Sequence, residues 1–261
     1  MGKPGETGTA SILTVEVRSG MIRCVPRTAR VVAVAAPHHV TQRGNNRQQV
    51  FFSNAQRRYY LALLAAHAQE HALRILGYCL MPNHVHAIVL PEFKDSMAKG
   101  LGRAHNAYSR YLNRLRRRSG HLWQNRFFSA PMERQHVFRA LRYVDLNPVR
   151  AGIVERATEY AWSSARAHAG EPDLSGLIDR ELWEELVPLG DWGDVLAEPA
   201  SADEQWRKRF RAATYAGKPL GSKEFISELE KQAQASLALR GPGRPRKKPM
   251  AVVAAAGLLA S

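Results

Sequence analysis

Hydrophobic and polar positions fall into an ordered rhythm from Pro37 onward. "HHVTQRG" alternates as a strand does and runs into a turn at Gly44-Asn45-Asn46. "NAQRRYYLALLAAHAQEHA" repeats apolar residues at helical spacing, with Asn54 as its candidate N-cap. "LRILGYCL" and "HVHAIVL" read as two strands of a hairpin turned at Met81-Pro82-Asn83. "DSMAKGLGRAHNAYSRYLNRLRRR" predicts a second helix ending in arginines, and "LWQNRFFSAPM" a fourth strand. "ERQHVFRALRYVDLNPVRAG" predicts a helix that Pro148 kinks or ends and Gly152 closes. This order, β-α-β-β-α-β and a further helix, predicts an α+β fold of the ferredoxin-like, split βαβ kind: an antiparallel sheet with helices on one face.

The flanks have a different texture. Residues 1–36 show weak periodicity and many small residues, and are expected to be poorly ordered. The main domain is expected over 37–170. Residues 171–239 predict a small helical C-terminal appendix anchored by Trp183, Trp192 and Trp206. Residues 240–261 form a basic tail whose Gly, Pro and Arg cannot build a core, so disorder is expected there.

Charge sharpens the picture. The 261 residues carry a formal net charge of +15, unevenly spread. Residues 37–168 hold 20 Lys and Arg against 7 Asp and Glu, and 18 of the 20 are arginine. Residues 169–239 hold 8 against 14, and residues 240–261 hold 5 against none. An arginine-dominated excess favours a polyanion, because guanidinium pairs bidentately with phosphate and stacks on bases. Nucleic acid is the first partner this implies; an acidic membrane surface is the second, and has no amphipathic helix to support it. No segment approaches the ~20 apolar residues of a membrane span, so no membrane partner is expected. Cys24 and Cys79 give no disulfide framework, and the expected location is cytoplasmic, associated with the nucleoid.

The chemistry centres on "MPNHVHAIVL". His84 and His86 are two apart on a strand and share a face, while Val85 points the other way. The pair alone is as compatible with structural histidines as with a metal site. Tyr143 and Asn147 are spaced i, i+4 on the later helix, hence on one face of it. An amide oxygen from Asn147 would complete a three-ligand set of nitrogen and oxygen, without thiolate. Such a set suits Mg²⁺ or Mn²⁺ and phosphate chemistry better than structural zinc. Tyr143 is the candidate nucleophile, with Tyr108 and Tyr111 as rivals that lack the amide partner. Asp145 lies on a different helix face and is a poor general base for a zinc hydrolase. A basic module that binds structured nucleic acid without cutting it is the competing reading.

Four ordered motifs, "PHHVTQRGNNRQQVFF", "YCLMPNHVHAIV", "GHLWQNRF" and "LRYVDLNPVRAGIV", resemble the REP-associated tyrosine transposases over about residues 37–168. These relatives of the insertion-sequence transposases have an HUH motif and one catalytic tyrosine. The resemblance implies the ferredoxin-like fold and cleavage and rejoining of single-stranded DNA at hairpin-forming repeats, through a 5′-phosphotyrosine and a free 3′-OH, with Mg²⁺ or Mn²⁺. It also implies His84 and His86 as HUH ligands, Asn147 as third ligand and Tyr143 as nucleophile, in a monomer or homodimer. Similar proteins begin shortly before "PHHVTQRG", and Met21 offers such a start.

The expected DNA contacts are Arg43, Arg47, Arg103, Arg110, Arg114, Arg116, Arg117, Arg118 and Arg126, which would grip hairpin phosphates. His121, Trp123 and Phe127 are candidates for base stacking. Arg244 and Arg246, in "GPGRPRKKP", suit either a minor-groove hook or a sequence-blind electrostatic arm.

Overall fold

A computed structural model describes residues 30–187, 190–198, 204–234 and 237. Four strands, β1 (His38–Arg43), β2 (Leu73–Met81), β3 (His84–Pro91) and β4 (Phe128–Pro131), form one sheet in the order β2-β3-β1-β4. Every neighbouring pair is antiparallel, which is the split βαβ arrangement. The β2–β3 hairpin turns at Pro82-Asn83, pairing Met81 with His84. That register sends Val85, Ala87 and Val89 to one face and His84, His86 and Ile88 to the other.

Helices α1 (Asn54–Glu70) and α2 (Ser96–Leu115) cover the first face. In α1 the buried positions Tyr60, Leu61, Leu64 and Ala68 recur at helical spacing; in α2 they are Met97, Leu101, Ala104, Tyr108 and Leu112. The α1 cap is Ser53, one residue before the expected Asn54: its hydroxyl accepts from the Gln56 N–H, as a short β-region residue at a helix start does.

Helix α3 (Val137–Asp145) crosses the second face. It stops at Leu146 and restarts as the single turn α4 (Asn147–Arg150), with Pro148 in its first turn. Proline has no N–H and its ring crowds the carbonyl four residues back, so the break belongs there. Gly152, at φ +66°, closes the segment. Four further helices follow α5 (Ala165–His168): α6 (Arg180–Leu186), α7 (Trp192–Ala197), α8 (Glu204–Ala216) and α9 (Lys223–Ala233).

These later helices do not form a separate appendix. Trp183, Trp192 and Phe210 are buried with Tyr143 and Val144 against the sheet, so both faces are covered, the crossover helices lying on one. Asp145 ties the layers together: it accepts from Ser164 Oγ at 2.7 Å, His168 Nδ1 at 2.7 Å and Trp192 Nε1 at 2.9 Å. His168 Nε2 meets the Leu76 carbonyl at 2.8 Å, so both ring nitrogens face acceptors and the ring is held between α3 and β2.

Two other expectations shift. The fourth strand is shorter than "LWQNRFFSAPM": residues 122–127 instead hold a loop pinned by Gln124 N–H donating to the Arg43 carbonyl and Asn45 N–H donating to the Leu122 carbonyl. Residues 30–36 are packed rather than loose: Ala33 is buried against Leu229 and Leu237, and His38 Nε2 accepts from the Ala33 N–H. Residues 1–29, with the Met21 start, and the 240–261 tail lie outside the described residues. Among the described residues, no helix is long and apolar enough to cross a membrane.

Candidate functional site

Strand pairing and α3 build the site from opposite sides. On the sheet, β1 places Arg43 opposite His84 and Thr41 opposite His86; directly opposed residues share a face. On the helix, Tyr143 points down to them. Its ring lies edge-on to His86 at 5.7 Å between centroids and edge-on to His39 at 5.9 Å. The His84 and His86 rings are 4.9 Å apart. One chain therefore brings Tyr143 and both histidines together by itself.

The hydrogen bonds define which atoms are free. His84 Nδ1 donates to Asn83 Oδ1 at 2.6 Å, since an amide oxygen only accepts. This leaves His84 Nε2 with its lone pair. His86 Nδ1 meets His39 Nε2 at 2.9 Å. Asn147 Nδ2 donates back to the Tyr143 and Val144 carbonyls at 3.1 and 3.4 Å, so its Oδ1 bonds to no described residue. Burial pushes the His84 imidazole down to about 4, assisted by Arg43 and Arg211, and holds His86 well below its ordinary value, assisted by His84 and His39. Neutral rings with two directed nitrogens fit a divalent ion that keeps some water; the described contacts of the Asn147 side chain are with α3 carbonyls, across the break between α3 and α4, and not with the histidines. Thr41 Oγ1 and Arg43 Nε, on the same strand face, are buried without hydrogen-bond partners among the described residues, as expected of groups waiting for a polar ligand.

Tyr143 stands apart from the other buried tyrosines. Tyr60, Tyr108 and Tyr160 each use their hydroxyl, on His105 Nε2, the Val50 carbonyl and the Leu80 carbonyl respectively. The Tyr143 hydroxyl bonds to no described residue. This removes Tyr108 as a rival, and Tyr111 packs on Tyr59 across the other face. Burial pushes the Tyr143 phenol up, and the Arg150 and Arg211 guanidiniums oppose that rise. Arg150 lies over the Tyr143 ring at 4.4 Å, donates to the Tyr143 carbonyl, and is itself lowered to about 10 by burial.

The arginines divide. Arg43, Arg47, Arg114, Arg116, Arg117 and Arg118 lie around the end of the sheet where β3 begins. Arg118 donates to Gln48, Arg116 covers Phe52 at 3.9 Å, and Asn83 Nδ2 donates to the Arg47 carbonyl. Arg110 and Arg126 are exposed nearby on α2 and the 122–127 loop. Arg103 does not join them: it pairs with Glu70 at 3.2 Å, at the C-terminal end of α1. That end also holds His67 and His71 beside Glu70, a grouping remote from the site. Arg244 and Arg246 lie outside the described residues.

Two stacking candidates are core residues. Trp123 is 7% exposed and donates from Nε1 to the His105 carbonyl at 3.0 Å; Phe127 is 6% exposed under the Arg30 guanidinium at 3.6 Å. Only His121 of the three is exposed. Sequence reasoning in turn missed His39, Arg150 and the α8 residues Phe210 and Thr214. Phe210 stacks on His39 at 4.4 Å and meets Tyr143 edge-on at 5.1 Å. The "HH" before "VTQR" was the available signal for His39. Nothing local marks α8, because its place over the site depends on the whole tertiary path.

Residues 34–147 match the family model of IS200-like transposases. A solved REP-associated tyrosine transposase, bound to a REP hairpin, shares 18% identity, with 67% of this chain and 94% of that chain covered and a TM-score of 0.48. A transposase-assigned structure from Deinococcus radiodurans shares 16% identity, covering 46% and 95% of the two chains with a TM-score of 0.33. No curated protein matches the sequence.

Proposed function

We propose, from the match of residues 34–147 to the IS200-like transposase model and from the site geometry, a nicking and strand-transfer enzyme of the REP-associated tyrosine kind. Its substrate is single-stranded DNA with hairpin-forming repeats. The observation that carries this reading is the free Tyr143 hydroxyl set against two histidines whose Nδ1 atoms are already engaged.

Tyr143 Oη attacks the scissile phosphorus. A Tyr–O–P bond forms, the bond from phosphorus to the 3′ oxygen breaks, the phenol gives up its proton, and the leaving oxygen gains one. The product is a 5′-phosphotyrosine and a free 3′-OH. One phosphodiester replaces another, so a second 3′-OH reverses the step without ATP. His84 Nε2, His86 Nε2 and Asn147 Oδ1 would hold Mg²⁺ or Mn²⁺, which when bound neutralises charge on the non-bridging phosphate oxygens. Arg150, stacked on the ring face, favours the phenolate as the proton leaves. Arg43, opposite His84, and the arginines at 114–118, at and just beyond the C-terminal end of α2, supply phosphate contacts.

Incubation with single-stranded repeats flanking the gene and Mn²⁺ is the test. A denaturation-resistant DNA–protein band is expected from the native protein. Tyr143→Phe loses the band but keeps hairpin affinity, and a persisting band would move the nucleophile elsewhere. Exchange of His84 and His86 for alanine removes metal-dependent cleavage; an unchanged rate would sink the ligand assignment. Binding without any band from the native protein would favour a non-catalytic hairpin-binding protein.

A further inference from the structure

A chain of four polar groups runs from α8 to the candidate ligand His86. Thr214 Oγ1 lies 2.9 Å from the Phe210 carbonyl and 2.7 Å from His39 Nδ1, and His39 Nε2 lies 2.9 Å from His86 Nδ1. Thr214 is fully buried, and His39 and His86 are 1% and 4% exposed, so solvent does not replace these partners. A direct hydrogen bond between His39 Nε2 and His86 Nδ1 requires one of these two nitrogens to be an acceptor.

The polarity of such a chain follows from its last member. A carbonyl only accepts, so the Thr214 hydroxyl donates to Phe210 and accepts from the His39 Nδ1–H. His39 Nε2 is then an acceptor and takes the His86 Nδ1–H. The lone pair of His86 is left on Nε2. The opposite polarity would set two lone pairs face to face at Thr214 and the Phe210 carbonyl. We propose that His39 and Thr214 are positioning residues that fix the tautomer of His86, presenting its Nε2 lone pair to the site. The C-terminal helix α8, beyond the matched family segment, is by this means part of the active site. Metal binding at His86 rests on the function proposed above; the tautomer does not.

Nitrogen-15 NMR of the metal-free full chain reads the tautomer directly. His86 is expected to carry its proton on Nδ1. Thr214→Val keeps the shape but removes the acceptor from His39, so a share of His86 moves to the Nε2–H form; Thr214→Ser restores the native pattern. Mn²⁺ titration of the same proteins is expected to show affinity about 10-fold weaker for Thr214→Val and near native for Thr214→Ser, the scale typical of a lost outer-shell partner. A His86 proton on Nε2 in the native protein, or a Thr214→Val spectrum identical to native, overturns the relay. If Mn²⁺ fails to bind the native histidines while the tautomer still shifts, the relay stands and the metal reading falls.

Discussion

Replacement of Gly77 by alanine tests how closely α3 must approach the sheet. Gly77 sits at an irregularity in β2, where the pairing with β3 shifts between Ile75 and Gly77. A Cβ there would stand 2.7 Å from Leu141 Cδ2, 2.9 Å from His168 Cε1 and 3.0 Å from Ser164 Oγ. Carbon atoms pack best at about 3.5–4.0 Å, so all three contacts are compressed. None of the three neighbours is a loose end. Leu141 is fully buried, and His168 and Ser164 are both bonded to Asp145. Overpacking of this kind costs about 1–3 kcal/mol, offset by the roughly 0.5–1 kcal/mol that alanine gains over glycine within a strand. The net loss, up to about 2.5 kcal/mol and centred just above ~1 kcal/mol, corresponds to about 2–4 °C in Tm per kcal/mol for a domain of this size.

Thermal melts of Gly77→Ala, Leu141→Ala and the double variant measure it. The double variant is expected to be less damaged than the sum, by at least about 0.5 kcal/mol. Leu141 lies two residues before Tyr143, so a displaced α3 also lowers adduct formation by more than unfolding explains; misplacement by ~1 Å can cost about 100-fold. Gly102, in α2 with no atom within 4 Å of its Cβ position, is the control, and its alanine variant is expected to be more stable by about 0.5–1 kcal/mol. A Gly77→Ala protein as stable as the native one would refute the reasoning.

The remaining predictions concern pH, charge and the core. His38 and His105 are buried, and burial lowers them to about 4 and about 3. The unfolded chain takes up their protons near 6.5, so their stabilisation is present above that pH and is lost as pH falls toward the folded values. From pH 7 to pH 5 each loses about 2 kcal/mol, and denaturant melts of His105→Gln should show a shallower decline. Exchange of Arg116, Arg117 and Arg118 for glutamine should reduce the slope of log K against log salt for single-stranded DNA by about 2. Arg103→Gln, already paired with Glu70, should leave that slope unchanged. Trp123→Phe should lower Tm while leaving hairpin affinity as it was, because its indole bonds to the His105 carbonyl and faces the core; an affinity loss at constant stability would restore it as a stacking residue.

Period-2 and period-3.6 patterns, together with the break at Pro148, determined the order of elements. Order alone then dictates the split βαβ sheet, since a tight hairpin must pair antiparallel and each helix must return the chain. The same alternation determined that His84 shares a face with His86. The i, i+4 spacing of Tyr143 and Asn147 did not decide theirs, because α3 ends at Asp145 and the chain restarts as α4 at Asn147.

Tertiary structure decided everything that depends on distance through space. The adjacent pair His38 and His39 looks uniform in sequence, yet register sends one to bond the backbone at Ala33 and Ala36 and the other to His86. Trp123 and Phe127 have the composition of a stacking surface and are core residues because the 122–127 loop folds inward. The acidic balance of residues 169–239 concealed α8, whose Thr214 lies 175 residues from His39 in sequence and 2.7 Å away in space. No periodicity encodes such a contact, because it is set by the summed packing of Trp183, Trp192 and Phe210 on the sheet.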